Sequence, residues 1–197
     1  MNRALYGTLR DGRPVHAYTL RNTAGLAARV LDMGGTVTAI EVPLKAGGSR
    51  NVVLGLADLA AYEAKAWFNC LIGRYANRLK NGFRLDGKHY TLAADENGVT
   101  LHGGRPHSWG IRLWEVRGAT DSSLALRLLS PDGDQGFPGN LTVDVSYTVS
   151  DANELRLDYR ATTDAPTVVN LKNLINSNRA GHGSAEGHLL QIESDAI

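Results

Sequence analysis

The nine residues from Leu141 to Val149 constrain this chain more than any other run. Leu141, Val143, Val145, Tyr147 and Val149 alternate without a break with Thr142, Asp144, Ser146 and Thr148. A period of two sends successive side chains to opposite sides of an extended backbone, so the run predicts a strand with one apolar and one wet face. A helix would repeat its apolar positions at three and four instead. Asp151-Ala152-Asn153 supplies a turn, after which Leu155, Leu157 and Tyr159 alternate with Arg156, Asp158 and Arg160. The two runs form an antiparallel hairpin whose apolar face must be covered by a second layer.

The rest of the chain follows the same pattern. Leu124, Leu126 and Leu128 share one face of a strand, while Val15–Leu20 and Leu26–Val42 are β-permissive runs interrupted at Asn22, Gly25 and Gly34-Gly35. Pro43 has no N–H for a ladder and should end the second run, leaving Lys45–Arg50, with Gly47-Gly48, as an exposed loop. Asp58 can cap one helical turn through Tyr62, and Trp67 and Phe68 should return the chain to the core. Ser130–Asn140, with two prolines and three glycines, reads as an irregular connection. No helix-period segment of useful length and no fixed repeat is visible. The expected fold class is therefore all-β, with many short strands stacked as sheets or closed as a barrel. At 197 residues, 43% hydrophobic, 21% charged and with 22 glycines, the chain suits one turn-rich globular domain over residues 1–197 and is short for two.

Charge narrows the partners. The formal net charge is +1 and no dense basic run occurs, so neither nucleic acid nor an anionic membrane is indicated, and a small neutral ligand fits better. Cys70 is the single cysteine, which excludes an internal disulfide. The amino-terminal MNRALYGTLRDGRPVHAYTLRN lacks the apolar core of a secretory signal, and no segment approaches the ~20 apolar residues of a membrane span. The expected location is the cytoplasm. No motif specifies an oligomeric state.

Candidate chemistry gathers between Gly73 and Gly104. Phe83 and Leu85, then Tyr90 and Leu92, flank an Asp86-Gly87 turn and predict a second hairpin. Arg74, Asn77 and Arg78 precede it and His102 follows it, so an antiparallel return would bring cationic donors and an imidazole to one rim of a sheet. Other motifs carry less. Gly181-His182-Gly183 with Gly187 neither follows a strong strand nor opens a helix, so it is a poor dinucleotide fingerprint. No G-x-S-x-G or H-E-x-x-H is present, and His182 with His188 is poor metal spacing. No cofactor and no metal are expected.

The ordered series GR-x-ANR, F-x-LDGK-x-Y-x-L, LHGG and SPDG-x-x-G-x-PGNL resembles the aldose 1-epimerase (galactose mutarotase) family, and the likeness runs through to AGHGSAEGH. The resemblance implies a large antiparallel β-sandwich and an aldose sugar as ligand, whose α and β anomers the family interconverts by ring opening. Such a reaction needs a base for the C1 hydroxyl proton and an acid for the ring oxygen. The family's sugar-binding Asn-Arg falls on Asn77 and Arg78, and the histidine of LHGG falls on His102. The family's general-acid histidine falls on Leu174, and a tyrosine of that motif falls on Asn176, within Asn170–Gly181. The chain ends at Ile197, before the positions of the family's sugar-binding aspartate and glutamate base. The expectation is thus a carboxyl-terminally shortened domain that keeps the positioning groups Asn77, Arg78 and His102 but has little or no epimerase activity. A non-catalytic carbohydrate-binding module, an inactive fragment and a relative of the sugar-phosphate epimerases are the alternatives.

Overall fold

A computed structural model describes residues 2–194, so the expected domain limits at Met1 and Ile197 lie outside the described residues. The first sheet is a meander of five antiparallel strands in the order β1 (Asn2–Thr8), β2 (Pro14–Arg21), β3 (Ala27–Leu31), β4 (Val37–Pro43) and β5 (Ser49–Asn51). A short helix α1 (Leu59–Ala64) follows. Next come β6 (Leu71–Ile72), β7 (Arg78–Lys80), β8 (Phe83–Leu85), β9 (Lys88–Tyr90) and β10 (Val99–Leu101). A second meander then runs through β11 (Glu115–Ala119), β12 (Ser123–Ser130), β13 (Leu141–Val149) and β14 (Leu155–Thr163), and β15 (Lys172–Asn173) pairs back on β6.

The alternation in β13 places its five apolar residues in the core while the intervening four are half-exposed. Pairing on both sides fixes the register: Val145 stands opposite Leu126 of β12 and Tyr159 of β14. A slip of one residue would turn the whole apolar row to water. Leu20, Ala28, Val30 and Val37 of the first sheet meet Leu124, Leu126, Val143 and Val145 of the second in one cluster, so the fold is an antiparallel β-sandwich. Each of these leucine and valine side chains contributes roughly 1.5–3 kcal/mol by leaving water. The layers are also pinned by a polar contact, the buried Tyr147 hydroxyl donating to the Gly35 carbonyl at 2.7 Å. Gly35 has φ +55°, and a Cβ there would lie 2.6 Å from that hydroxyl, so the contact depends on glycine.

Three local expectations change. Ser49–Asn51 is not loop: with Gly47 and Gly48 both at positive φ, the chain turns sharply enough for Ser49 to pair opposite Pro43, and the exposed turn is shorter than expected. The cap at Asp58 accepts from the Ala61 N–H at 2.9 Å, but the helix runs on to Ala64 because Leu59 and Tyr62 bury one face. Trp67 and Phe68 are half-buried, and it is Asn69 and Cys70 that enter the core. Burial raises the Cys70 thiol to about 12, which leaves it protonated and unreactive. The Asp86-Gly87 hairpin forms as read, with φ +50° and +76° at the turn. No helix of the described residues is long and apolar enough to cross a membrane.

Candidate functional site

The rim expected from the sequence forms where β7 meets β10. These strands are antiparallel, with Leu101 opposite Arg78, so Asn77 and His102 stand next to each other just beyond the ladder. They close it reciprocally: the His102 N–H donates to the Asn77 carbonyl at 2.9 Å, and the Asn77 N–H donates to His102 Nδ1 at 2.9 Å. Both residues have positive φ, 68° and 53°. Left-handed backbone at a non-glycine residue is strained and persists where its surroundings hold it. Gly103 is part of that hold, because it lies at φ +82° and a Cβ would overlap the Gly73 carbonyl. The Gly-Gly of LHGG therefore seats the histidine against the GR-x-ANR strand.

The geometry fixes the imidazole's chemistry. With Nδ1 accepting from the Asn77 N–H, the neutral ring carries its proton on Nε2, which is left as a donor. Burial lowers the His102 pKa from its ordinary value, and the positive charges of Lys172 and Arg78 lower it further, so the ring is neutral at neutral pH. The imidazole meets the Trp67 ring edge-on, centroids 5.7 Å apart. Arg78 is exposed and donates from Nη1 to Asn77 Oδ1 at 3.2 Å, so the asparagine side chain orients the guanidinium. Among the described residues, no carboxylate hydrogen-bonds Asn77, Arg78 or His102.

Arg74 does not join this rim. It is 1% exposed, and its guanidinium lies under the Ser130–Asn140 connection. Nε donates to Ser130 Oγ at 3.0 Å, Nη1 to the Pro138 carbonyl at 2.7 Å, and Nη2 to the carbonyls of Ser130, Pro131 and Gly139 at 2.8, 2.9 and 2.7 Å. Asp134 accepts from Arg112 at 2.6 and 2.8 Å and from the Ser130 hydroxyl. Burial alone would raise its carboxyl, but these bonds outweigh burial and hold it below the usual carboxylate range. The first arginine of GR-x-ANR is thus a staple for the SPDG-x-x-G-x-PGN loop.

The Asn170–Gly181 segment reaches the same neighbourhood through β15, which puts Lys172 opposite Ile72 and Asn173 opposite Leu71. The Leu174 N–H donates to the Cys70 carbonyl at 2.9 Å, and its side chain packs against the Cys70, Ile72 and Ala76 cluster, as Trp67 does. It is an apolar side chain in the same cluster as Trp67, whose ring touches His102. Asn176 donates from Nδ2 to Asn69 Oδ1 at 3.0 Å and from its backbone N–H to the same oxygen at 2.8 Å, a role in fixing the chain. Lys172 and Trp67 are the site residues that sequence reasoning missed. Lys172 lies 70 positions after His102 and Trp67 35 before it, and no spacing signal connects them to the histidine. Among the described residues, no three His, Cys, Asp or Glu side chains gather as a metal site.

This antiparallel sandwich places the chain among the aldose-epimerase folds. The aldose 1-epimerase family profile matches residues 16–197. The chain is 40% identical over 188 residues to the aldose 1-epimerase of Escherichia coli K12, covering 94% of this chain and 54% of that protein. It is 38% identical over 200 residues to human galactose mutarotase, covering 99% and 57%. Among solved structures, the aldose epimerase homologue from C. elegans superposes with a TM-score of 0.77 at 35% identity, over 82% of this chain and 50% of that one. Galactose 1-epimerase from Lactobacillus acidophilus gives 0.75 at 26%, over 88% and 52%. The chain belongs to the aldose 1-epimerase family. It spans about half the length of the relatives it matches.

Proposed function

We propose that this chain is a cytoplasmic, single-domain aldose-binding member of its family, with Asn77, Arg78 and His102 as the groups that hold the sugar. The observation that carries the reading is the reciprocal pair of bonds between Asn77 and His102, which presents an Nε2–H donor beside an oriented guanidinium. Directed donors of this kind suit the vicinal hydroxyls of a hexose such as glucose or galactose. Calorimetric titration with either sugar tests it: saturable heat at millimolar sugar is expected, and neither heat nor chemical-shift change would remove the basis for the reading.

Anomer interconversion asks more than binding. Neutral His102 can donate to a ring or hydroxyl oxygen, but the charges acting on it are the cations Lys172 and Arg78, and Leu174 stands where the family's acid histidine falls. Leucine has no proton to give. Acid and base assistance each contribute roughly 10²–10⁴-fold, so we expect the 197-residue chain to bind sugar and accelerate ring opening little. A binding role without catalysis is the reading Leu174 favours.

A further inference from the structure

The two large sheets end in four edge strands, and three of these are poor templates for a further strand. The registers of β1 and β11 break, between Leu5 and Gly7 and between Val116 and Gly118, and β5 has three residues. β14 differs from all of them. It has no glycine or proline, its register on β13 is unbroken from Leu155 to Thr163, and among the described residues no strand lies on its outer side. Bulges, short length and proline ordinarily keep an edge from pairing with another chain. This edge has none of them.

The backbone shows what the edge offers. At the two ends of the β13–β14 ladder, the Ser150 N–H donates to the Glu154 carbonyl at 2.9 Å and the Asp164 N–H donates to the Asn140 carbonyl at 3.4 Å. The even-numbered residues of β14 therefore bond inward. Antiparallel ladders alternate, so Leu155, Leu157, Tyr159, Ala161 and Thr163 turn their N–H and C=O groups outward. On the apolar face Leu155 and Leu157 pack against the core, while Tyr159 remains 38% exposed. The wet face carries Arg156, Asp158 and Arg160, all exposed.

We propose that the free edge of β14 is a dimer interface, on which a second copy of this chain pairs strand to strand about a two-fold axis at Tyr159. Such an axis demands a self-complementary surface, and the sequence of β14 supplies one. Asp158 stands opposite the second copy's Arg160, and Arg160 opposite its Asp158, while Leu157 meets Ala161 and the two Tyr159 rings meet each other. Asp158 already accepts from Arg156 on its own strand and gains a second cation across the axis. Moving the axis to Asp158 would set Arg156 against Arg160, and moving it to Arg160 would set that arginine against itself. An axis at Leu157 keeps the charges matched but pairs only Leu155–Tyr159. The Tyr159 axis alone joins opposite charges and uses the whole strand.

The test is sedimentation velocity of the 197-residue chain from about 1 µM to 1 mM, since a single strand edge is a small interface and a Kd on the order of 10–100 µM is expected. Asp158→Arg or Arg160→Asp places like charges opposite each other twice, and each should weaken the dimer about tenfold or more. The double variant restores opposite charges and should dimerise as the wild type does. An equal mixture of the two single variants should form the heterodimer, an outcome that damage to the fold would not produce. In hydrogen exchange, the amides of Leu157, Tyr159 and Ala161 should exchange fast in dilute protein and slow down as the dimer forms, whereas those of Arg156 and Asp158 are protected throughout. A monomer at every concentration overturns the inference, as does a dimer indifferent to both charge variants, or single variants that fail to combine. Growth beyond the dimer also overturns it, because a two-fold edge contact closes on itself. Slow exchange of the odd-numbered amides in dilute monomer would mean that the chain covers its own edge, and would overturn it equally.

Discussion

Arg74 and Arg78 stand four residues apart in one motif and belong to two different regions. Arg74 is 1% exposed under the 130–140 connection, with its guanidinium spent on backbone carbonyls and Ser130. Arg78 is exposed at the rim and has a single hydrogen bond to the Asn77 side chain. Charge on the first is satisfied by the protein itself, and burial lowers the Arg74 pKa while Asp134 and Asp132 oppose that fall. Charge on the second is left over. The contrast teaches that one motif can commit one arginine to the fold's own hydrogen bonds and leave another at the surface, where the proposed sugar would meet it.

Substitutions should divide along this line. Arg74→Met has the largest expected effect on stability: it orphans the buried carbonyls of the 130–140 connection and the Ser130 hydroxyl that the guanidinium now bonds, at a cost of about 3–5 kcal/mol. Urea unfolding measures it, and a loss below about 1 kcal/mol would mean that the loop does not depend on the staple. Arg78→Ala should do the reverse. It should weaken hexose binding by about tenfold or more and leave the unfolding midpoint where it was. A sugar affinity unchanged in that variant would break the assignment of Arg78 to the rim.

The smaller effect concerns His102 and pH. Its pKa in the folded chain lies below the unfolded value, because burial, Lys172 and Arg78 all disfavour the charged ring. The stability it contributes is therefore present above the unfolded histidine pKa of about 6.5 and is lost as pH falls through the lower folded value. Protonation would also set a donor against the Asn77 N–H. The stability difference between the wild type and His102→Gln should narrow as pH drops from about 7.5 to 5. A difference that stays flat across that range would show that the imidazole is not held neutral.

How far the sequence spoke for itself differs between these regions. The sandwich was legible because β13 alternates along its whole length, β12 and β14 alternate over part of theirs, and all three are paired over long registers, so local pattern and tertiary environment agree. The rim was legible in part: the Asp86-Gly87 turn announces a return, and the resemblance points to Asn77, Arg78 and His102. Nothing in GR-x-ANR says that its first arginine is buried, because the carbonyls that receive it come from a loop some sixty residues onward. Lys172, Trp67 and the Asn69–Asn176 bonds were equally hidden, being products of tertiary contact and not of spacing. The edge strand β5 was missed for a different reason, since two glycines and a proline look like loop whether or not the chain zips up again beyond them.

The central claim is that this chain holds sugar at the Asn77–His102 rim without the proton-transfer partners that ring opening needs. Leu174→His bears on it from one side: a returned imidazole alone should not restore turnover, because no carboxylate hydrogen-bonds the rim among the described residues. The direct measurement is polarimetry on freshly dissolved α-glucose with the wild-type chain. The account predicts a rate little above that of buffer, even at sugar concentrations where calorimetry detects binding. A robust, saturable acceleration that disappears in His102→Ala would contradict it and show that the rim has a working base.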